Sequence, residues 1–184
     1  MQIDSLVNDA LLDGRSVIIV GAAPLADKVT TFQSLVNAVA GTRKLAIIDE
    51  KHVLPTVPPS ADVIDVDFKG VDAIHREIRE HGDTAVAVPN MRRGDIVRLL
   101  MDFAGQEDGQ VLLVNDARSD AEDTLRNDLP MILLKSSPSG HTEFSDAAIK
   151  AMNPVVVSLD ANGNVESIKV VDLHKDGLHT VTFR

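Results

Sequence analysis

Four short runs dominated by apolar residues, at 17–20, 45–48, 84–88 and 111–114, constrain this chain more than any other feature. A strand with one wet face alternates apolar and polar residues, whereas a continuous apolar run fits burial on both faces. Segments with helical spacing separate the runs: 30–40, 71–81 closed by Gly82, and 95–103 with Ile96, Val97, Leu99, Leu100 and Phe103 facing inward. Strands joined through helices imply a mostly parallel sheet flanked by helices, with any site at the strands' carboxyl ends. The same reading places a helix at 3–12 ended by Gly14 and a proline-punctuated loop at 53–59. It adds a short strand at 62–68, a helix at 121–126 and a strand at 131–134. The tail, 155–159 and 165–173 around Asn162-Gly163, has the pattern of an antiparallel hairpin.

Composition narrows the function classes. With 184 residues, 44% of them apolar, the chain can fill one α/β core. A net charge of −10 argues against nucleic acid as a partner, since that affinity comes from Lys and Arg on phosphates. No Trp or Tyr is present to stack on bases. No apolar run approaches the length of a membrane span, so no direct membrane insertion is expected, and Met1 begins a polar, amphipathic stretch instead of a signal peptide. The absence of cysteine excludes disulfides, thiolate chemistry and Cys-based zinc sites, and suits a cytoplasmic location. No repeat, linker or low-complexity tract is visible.

After the first strand comes Gly21-Ala22-Ala23-Pro24-Leu25-Ala26-Asp27-Lys28-Val29-Thr30-Thr31, with the order of a phosphate-binding loop but not its chemistry. Such a loop, G-x-x-x-x-G-K-[ST], uses glycines so that backbone N–H groups can close on phosphate. This chain keeps Gly21, a lysine and a threonine pair, carries one extra residue, and sets Ala or Pro where the backbone must approach closely. Pro24 donates no N–H, and Asp27 places a carboxylate where phosphate would sit, a repulsion of roughly 4 kcal/mol at 4 Å and intermediate dielectric.

The order of segments, beyond this loop, resembles the C-terminal RecA-like domain of the type II and type IV secretion ATPases, which also drive pilus assembly and retraction. The loop and its helix come first. Ile48-Asp49-Glu50-Lys51-His52-Val53-Leu54-Pro55 is similar to the family's acidic box, and Val88-Pro89-Asn90-Met91-Arg92-Arg93-Gly94-Asp95 to its Gly-Glu-x-Arg-x-x-Glu stretch. Residues 109–123 resemble the histidine box, and the tail resembles the closing hairpin. The resemblance implies a RecA-like P-loop NTPase-type three-layer sandwich over residues 1–184, a single domain with the family's N-terminal domain absent.

The resemblance also implies which positions have changed. The family's water-polarising glutamate falls at Asn90, and its box histidines at Gln110 and Asp116. Gly21, Lys28, Thr30 and Glu50 are then vestiges of the nucleotide site, and Arg92 matches the family arginine. The implied function is a non-hydrolysing, structural or regulatory component of a secretion or pilus apparatus, cytoplasmic or peripheral at the inner membrane through partners. Neither cofactor nor metal is expected, and the chain joins an oligomer only with a partner such as an active ATPase. Arg92, Arg93 and Asp95 are the residues expected at that contact, in an otherwise acidic molecule.

Two other classes stay open. In an active ATPase with a rearranged loop, Lys28 meets phosphates, Thr30 meets Mg²⁺ and Glu50 orients water, so ATP and Mg²⁺ become the cofactors. In an unrelated α/β enzyme, such as a nucleotide kinase relative, Gly21-Ala22-Ala23 marks a different nucleotide loop, although no G-x-G-x-x-G follows. The residues also have plainer readings. Lys28 can be a solvated lysine at a helix start, Asp49 and Glu50 solvated acids at a strand end, and Arg92 and Arg93 members of surface ion pairs. His75 and His81, like His174 and His179, have spacings that put no two rings on one helical face, so they read as surface histidines. His141 sits in a loop without a nucleophile elbow, and the acidic run 116–128 reads as a solvated helix face.

Overall fold

The apolar runs form strands, and burial on both faces explains their lack of polar alternation. The computed structural model describes residues 5–66, 69–82, 84–91, 93–105, 109–136, 149–150, 152–174 and 177–183. Helix α1 (Ser5–Leu12) precedes β1 (Val17–Gly21), α2 (Leu25–Ala40), β2 (Leu45–Ile47), β3 (Ala61–Val63), α3 (Val71–His81), β4 (Ala85–Val88), α4 (Gly94–Ala104) and β5 (Gln110–Val114). A longer helical segment follows: α5 (Ala121–Asp123), a π turn (Thr124–Asp128) and α6 (Leu129–Ser136). Strands β6 (Val155–Leu159), β7 (Val165–His174) and β8 (Gly177–Phe183) complete the described elements.

All eight strands lie in one sheet in the order β3-β2-β4-β5-β1-β6-β7-β8. Pairing is parallel from β3 through β6, with Ile18 opposite Leu113 on one side and Val156 on the other. Pairing of β7 with β6 and β8 is antiparallel. The sheet is therefore mostly parallel, with the expected C-terminal antiparallel hairpin at one end. Alternate residues of β1 feed two cores. Val17 and Ile19 pack with Val7, Leu11, Phe32 and Leu35 under α1 and α2. Ile18 and Val20 pack with Ile74, Ile78, Ile96 and Leu100 under α3 and α4. The result is three layers, helix–sheet–helix.

Three expectations change. The helix after β1 starts at Leu25, not at residue 30, because Pro24 supplies a φ of −56° at its N-cap and only three residues separate strand from helix. Residues 131–134 are helical within α6, not a strand. A short apolar run has no period of its own, and here Leu129 is buried while Met131 is 53% exposed, the one-sided burial of a helix. The short strand expected at 62–68 shrinks to Ala61–Val63, and residues 67–68 of that expectation lie outside the described residues. Strand β8 had no counterpart in the sequence reading.

Phe32 is fully buried where α2 meets β1, so Phe32→Ala should cost about 3–5 kcal/mol, read as a lowered urea midpoint at unchanged slope.

Candidate functional site

Because β1, β2, β4, β5 and β6 run parallel, the loops after them meet along one edge of the sheet. The β1–α2 loop reaches that edge with part of its donors already engaged. Gly21 N–H donates to the Ser119 carbonyl and Ala22 N–H to the Leu159 carbonyl, both at 2.9 Å. Asp27 and Lys28 N–H turn back onto the Pro24 carbonyl, at 3.1 and 3.2 Å. Gly21 is required here for packing: its φ is 108°, and a Cβ would lie 2.2 Å from the Leu159 carbonyl oxygen. Three residues cannot form the arch that a phosphate-binding loop builds between its two glycines.

Lys28 is fully buried, and its direction sets the character of the site. The ammonium Nζ donates to the carbonyl oxygens of Asn115 at 2.9 Å and Ala117 at 2.6 Å, in the loop that follows β5. Loss of solvation lowers its pKa below the ordinary 10.5; Asp116 opposes that shift, Arg118 adds to it and Asp128 opposes it. Asn115 carries the network further. Its Nδ2 donates to Thr124 Oγ1 at 3.0 Å and Asp128 Oδ2 at 2.7 Å, while its Oδ1 accepts from Ala117 N–H at 3.1 Å. Thr124 and Asp128 are the first and last residues of the π turn. Thr30 lies about 200° around α2 from Lys28, is exposed, and donates its hydroxyl to the Ala26 carbonyl at 2.9 Å.

Glu50 and Asn90 belong to a second cluster, at the ends of β2 and β4. Arg93 clamps it: Nη1 meets Glu50 Oε1 at 3.0 Å, while Nη2 and Nε reach the two oxygens of Asp95 at 2.6 and 3.1 Å. Asp95 raises the Arg93 pKa, and Arg93 in turn lowers that of Asp95. Asp49 accepts N–H bonds from Val53 and Leu54, at 3.0 and 2.9 Å. Asp49, Glu50, Asn90 and Arg93 border a cleft of about 390 Å³, mouth included, lined also by Val88, Met91 and Val97. The Asn90 Oδ1 atom is enclosed and has no hydrogen-bond partner.

The structure thus joins Lys28 to Asp116 and its neighbours, and joins Glu50, Arg93 and Asp95 to one another, as two separate groups. It separates Gln110 from Asp116, since β5 puts them roughly 20 Å apart at opposite strand ends. Gln110 serves the amino end, where Nε2 donates to the Leu11 and Arg15 carbonyls at 3.1 and 2.9 Å. Arg92 and His141 lie outside the described residues. Asn115, Thr124 and Asp128 escaped the sequence reading, which took 116–128 for a solvated face; the one available signal was an asparagine directly after an all-apolar strand. Among the described residues, no cluster of three or more His, Asp or Glu side chains could hold a metal, and no helix is long and apolar enough to cross a membrane.

The Lys28 arrangement has a pH signature. Between its lowered folded value and 10.5 the unfolded chain binds more protons, so stability rises with pH across that window. A neutral amine still has two N–H groups for the two carbonyls. With neither Tyr nor Cys in the chain, the other alkaline titrations are common to wild type and Lys28→Met. The stability of wild type relative to Lys28→Met should therefore grow from neutral pH toward 10.5 in urea unfolding, and a flat or falling difference would contradict the buried amine.

The sequence matches no family model and no curated protein. Solved structures do match it. The VirB11 ATPase of the Brucella suis type IV secretion system, in complex with sulphate, aligns with a TM-score of 0.69 at 16% identity, over 97% of this chain and 51% of that one. The pilus retraction motor PilT with bound ADP gives 0.62 at 15% identity, over 99% and 50%. The Legionella pneumophila ATPase DotB gives 0.59 at 11%, over 99% and 47%. This chain spans about half the length of each of these proteins. At such identities the likeness establishes the fold, a RecA-like, mostly parallel sheet with a closing antiparallel hairpin.

Proposed function

We propose that this chain is a non-hydrolysing homologue of the secretion and pilus motor ATPases, acting as a structural or regulatory component of such an apparatus. The observation that carries this reading is the bonding of Lys28. The cation that would meet the phosphates in the motor loop is instead buried on two backbone carbonyls of its own chain. Five of the eight positions from 21 to 28 cannot offer an N–H to an anion, four because their N–H is bonded internally and Pro24 because it has none. The residues present therefore do not fit a bound triphosphate. Asn90, at the position that the resemblance gives to the water-polarising glutamate, has a carboxamide that cannot take up a proton at neutral pH.

The active-ATPase alternative requires Lys28 to leave both carbonyls, Thr30 to turn toward it from the other side of α2, and Glu50 to leave Arg93. Several bonds must break together, and nothing in the geometry compensates them. A partner is proposed to dock on residues 91–95 and the outer side of α4. Arg93 brings little free charge to that contact, because Glu50 and Asp95 already neutralise it.

Calorimetry and phosphate-release assays at millimolar ATP and Mg²⁺ should show no turnover and no saturable binding. Micromolar affinity with turnover that Lys28→Met abolishes would establish the active enzyme instead.

A further inference from the structure

An open sheet ends in two edge strands, and each leaves a row of backbone N–H and C=O groups without a sheet partner. Here the edge strands are β3 and β8, and they are built differently. Strand β3 is three residues long, carries Asp62 and follows Pro58-Pro59-Ser60. Shortness, a charge and nearby proline are features that keep an edge from pairing with another chain. Strand β8 has none of them. It runs seven residues, Gly177–Phe183, without proline and without Lys, Arg, Asp or Glu. Its pairing with β7 is unbroken from Ile168 opposite Phe183 to His174 opposite Gly177, so no bulge turns its outer side away. Among the described residues, β8 has a strand neighbour on one side only. Alternate residues of an antiparallel strand direct their N–H and C=O to opposite sides, so roughly half of β8 offers a donor and an acceptor to the open side.

We propose that β8 pairs antiparallel with β8 of a second copy of this chain, joining two sheets into one across a two-fold axis. A row of backbone donors and acceptors is matched by an extended strand with an open edge of its own, and β8 is such a strand. Pairing centred on Thr180 sets that residue opposite its own copy, His179 opposite Val181 and Leu178 opposite Thr182, so no like formal charges meet along the seam. Closure follows from the difference between the two edges. The contact uses up β8 and β3 is defended, so association stops at a dimer instead of growing into a fibre. Seven paired residues make a seam smaller than the roughly 1,200–2,000 Å² of a standard stable interface, which puts the dissociation constant on the order of 10–100 µM. Strand β8 lies five strands from β4, roughly 24 Å across the sheet, so the contact leaves residues 91–95 free and does not depend on whether nucleotide binds.

Sedimentation equilibrium of the full chain from about 5 to 500 µM should pass from monomer to dimer and stop there. In hydrogen exchange, amides within 177–183 should exchange about threefold or more slowly at the top of that range than at the bottom, while those of 61–63 do not change. Thr180→Lys and Thr180→Glu each set like charges opposite one another at the two-fold axis, and each should weaken the dimer about fivefold. An equimolar mixture of the two variants should recover that loss, because opposite charges then meet. If circular dichroism shows either variant unfolded, the wild-type sedimentation and exchange decide alone. A monomer throughout, assemblies that grow past the dimer, or added protection that spares 177–183 overturns the proposal. So does a dimer indifferent to both charges, or one that the mixture fails to restore.

Discussion

The contact on which the site depends is the Lys28 ammonium on the Asn115 and Ala117 carbonyls. A buried cation is tolerated only where its donors find acceptors, and breaking one side of such a contact exposes the whole desolvation cost. Two elements are shaped to supply them. Helix α2 begins four residues after Gly21, which swings position 28 inward toward the end of β5. The π turn at 124–128 brings Thr124 and Asp128 back to Asn115, which fixes the loop whose carbonyls receive the amine. A π turn inside an α-helical segment is strained on its own and often marks a functional position; here a buried hydrogen-bond network accompanies it.

The second cluster shows the same inward use of charge. Arg93 ties the loop after β2 to the start of α4 through Glu50 and Asp95, and Asp49 caps the turn that leads into the proline-punctuated loop 53–59. Each of these pairs is partly exposed and modest in energy. Their effect is geometric: they fix the loops at the ends of β2 and β4 against each other. The parallel sheet thus brings these loops together, and their polar groups bond one another.

Much of the fold was legible because burial on both faces writes itself directly into sequence. The runs at 17–20, 45–48, 84–88 and 111–114 could be little else than central parallel strands, and Asn162-Gly163, with φ of 79° at Gly163, marked the hairpin. What failed was whatever depends on tertiary choice. Residues 131–134 carry no period, so only packing on the sheet could make them helical. The early start of α2 follows from loop length, which Pro24 permits but does not dictate. At the site, Gly21, Lys28, Glu50 and Arg93 were identifiable as residue types at strand ends, yet their partners were not. Thr124 and Asp128 reach Asn115 through a π turn that leaves no pattern in sequence, and of the two readings given to Arg93, a partner contact and a surface ion pair, the structure shows the ion pair, with Glu50 added to Asp95.

The most direct measurement follows the Lys28 side chain itself by NMR, with lysine labelled at Cε and Nζ and the resonance assigned through Lys28→Met. The account predicts a slowly exchanging amine, shifted from the other lysines and unmoved by millimolar ATP and Mg²⁺. A Lys28 resonance that exchanges as fast as the surface lysines, or that moves saturably when ATP is added, would contradict it.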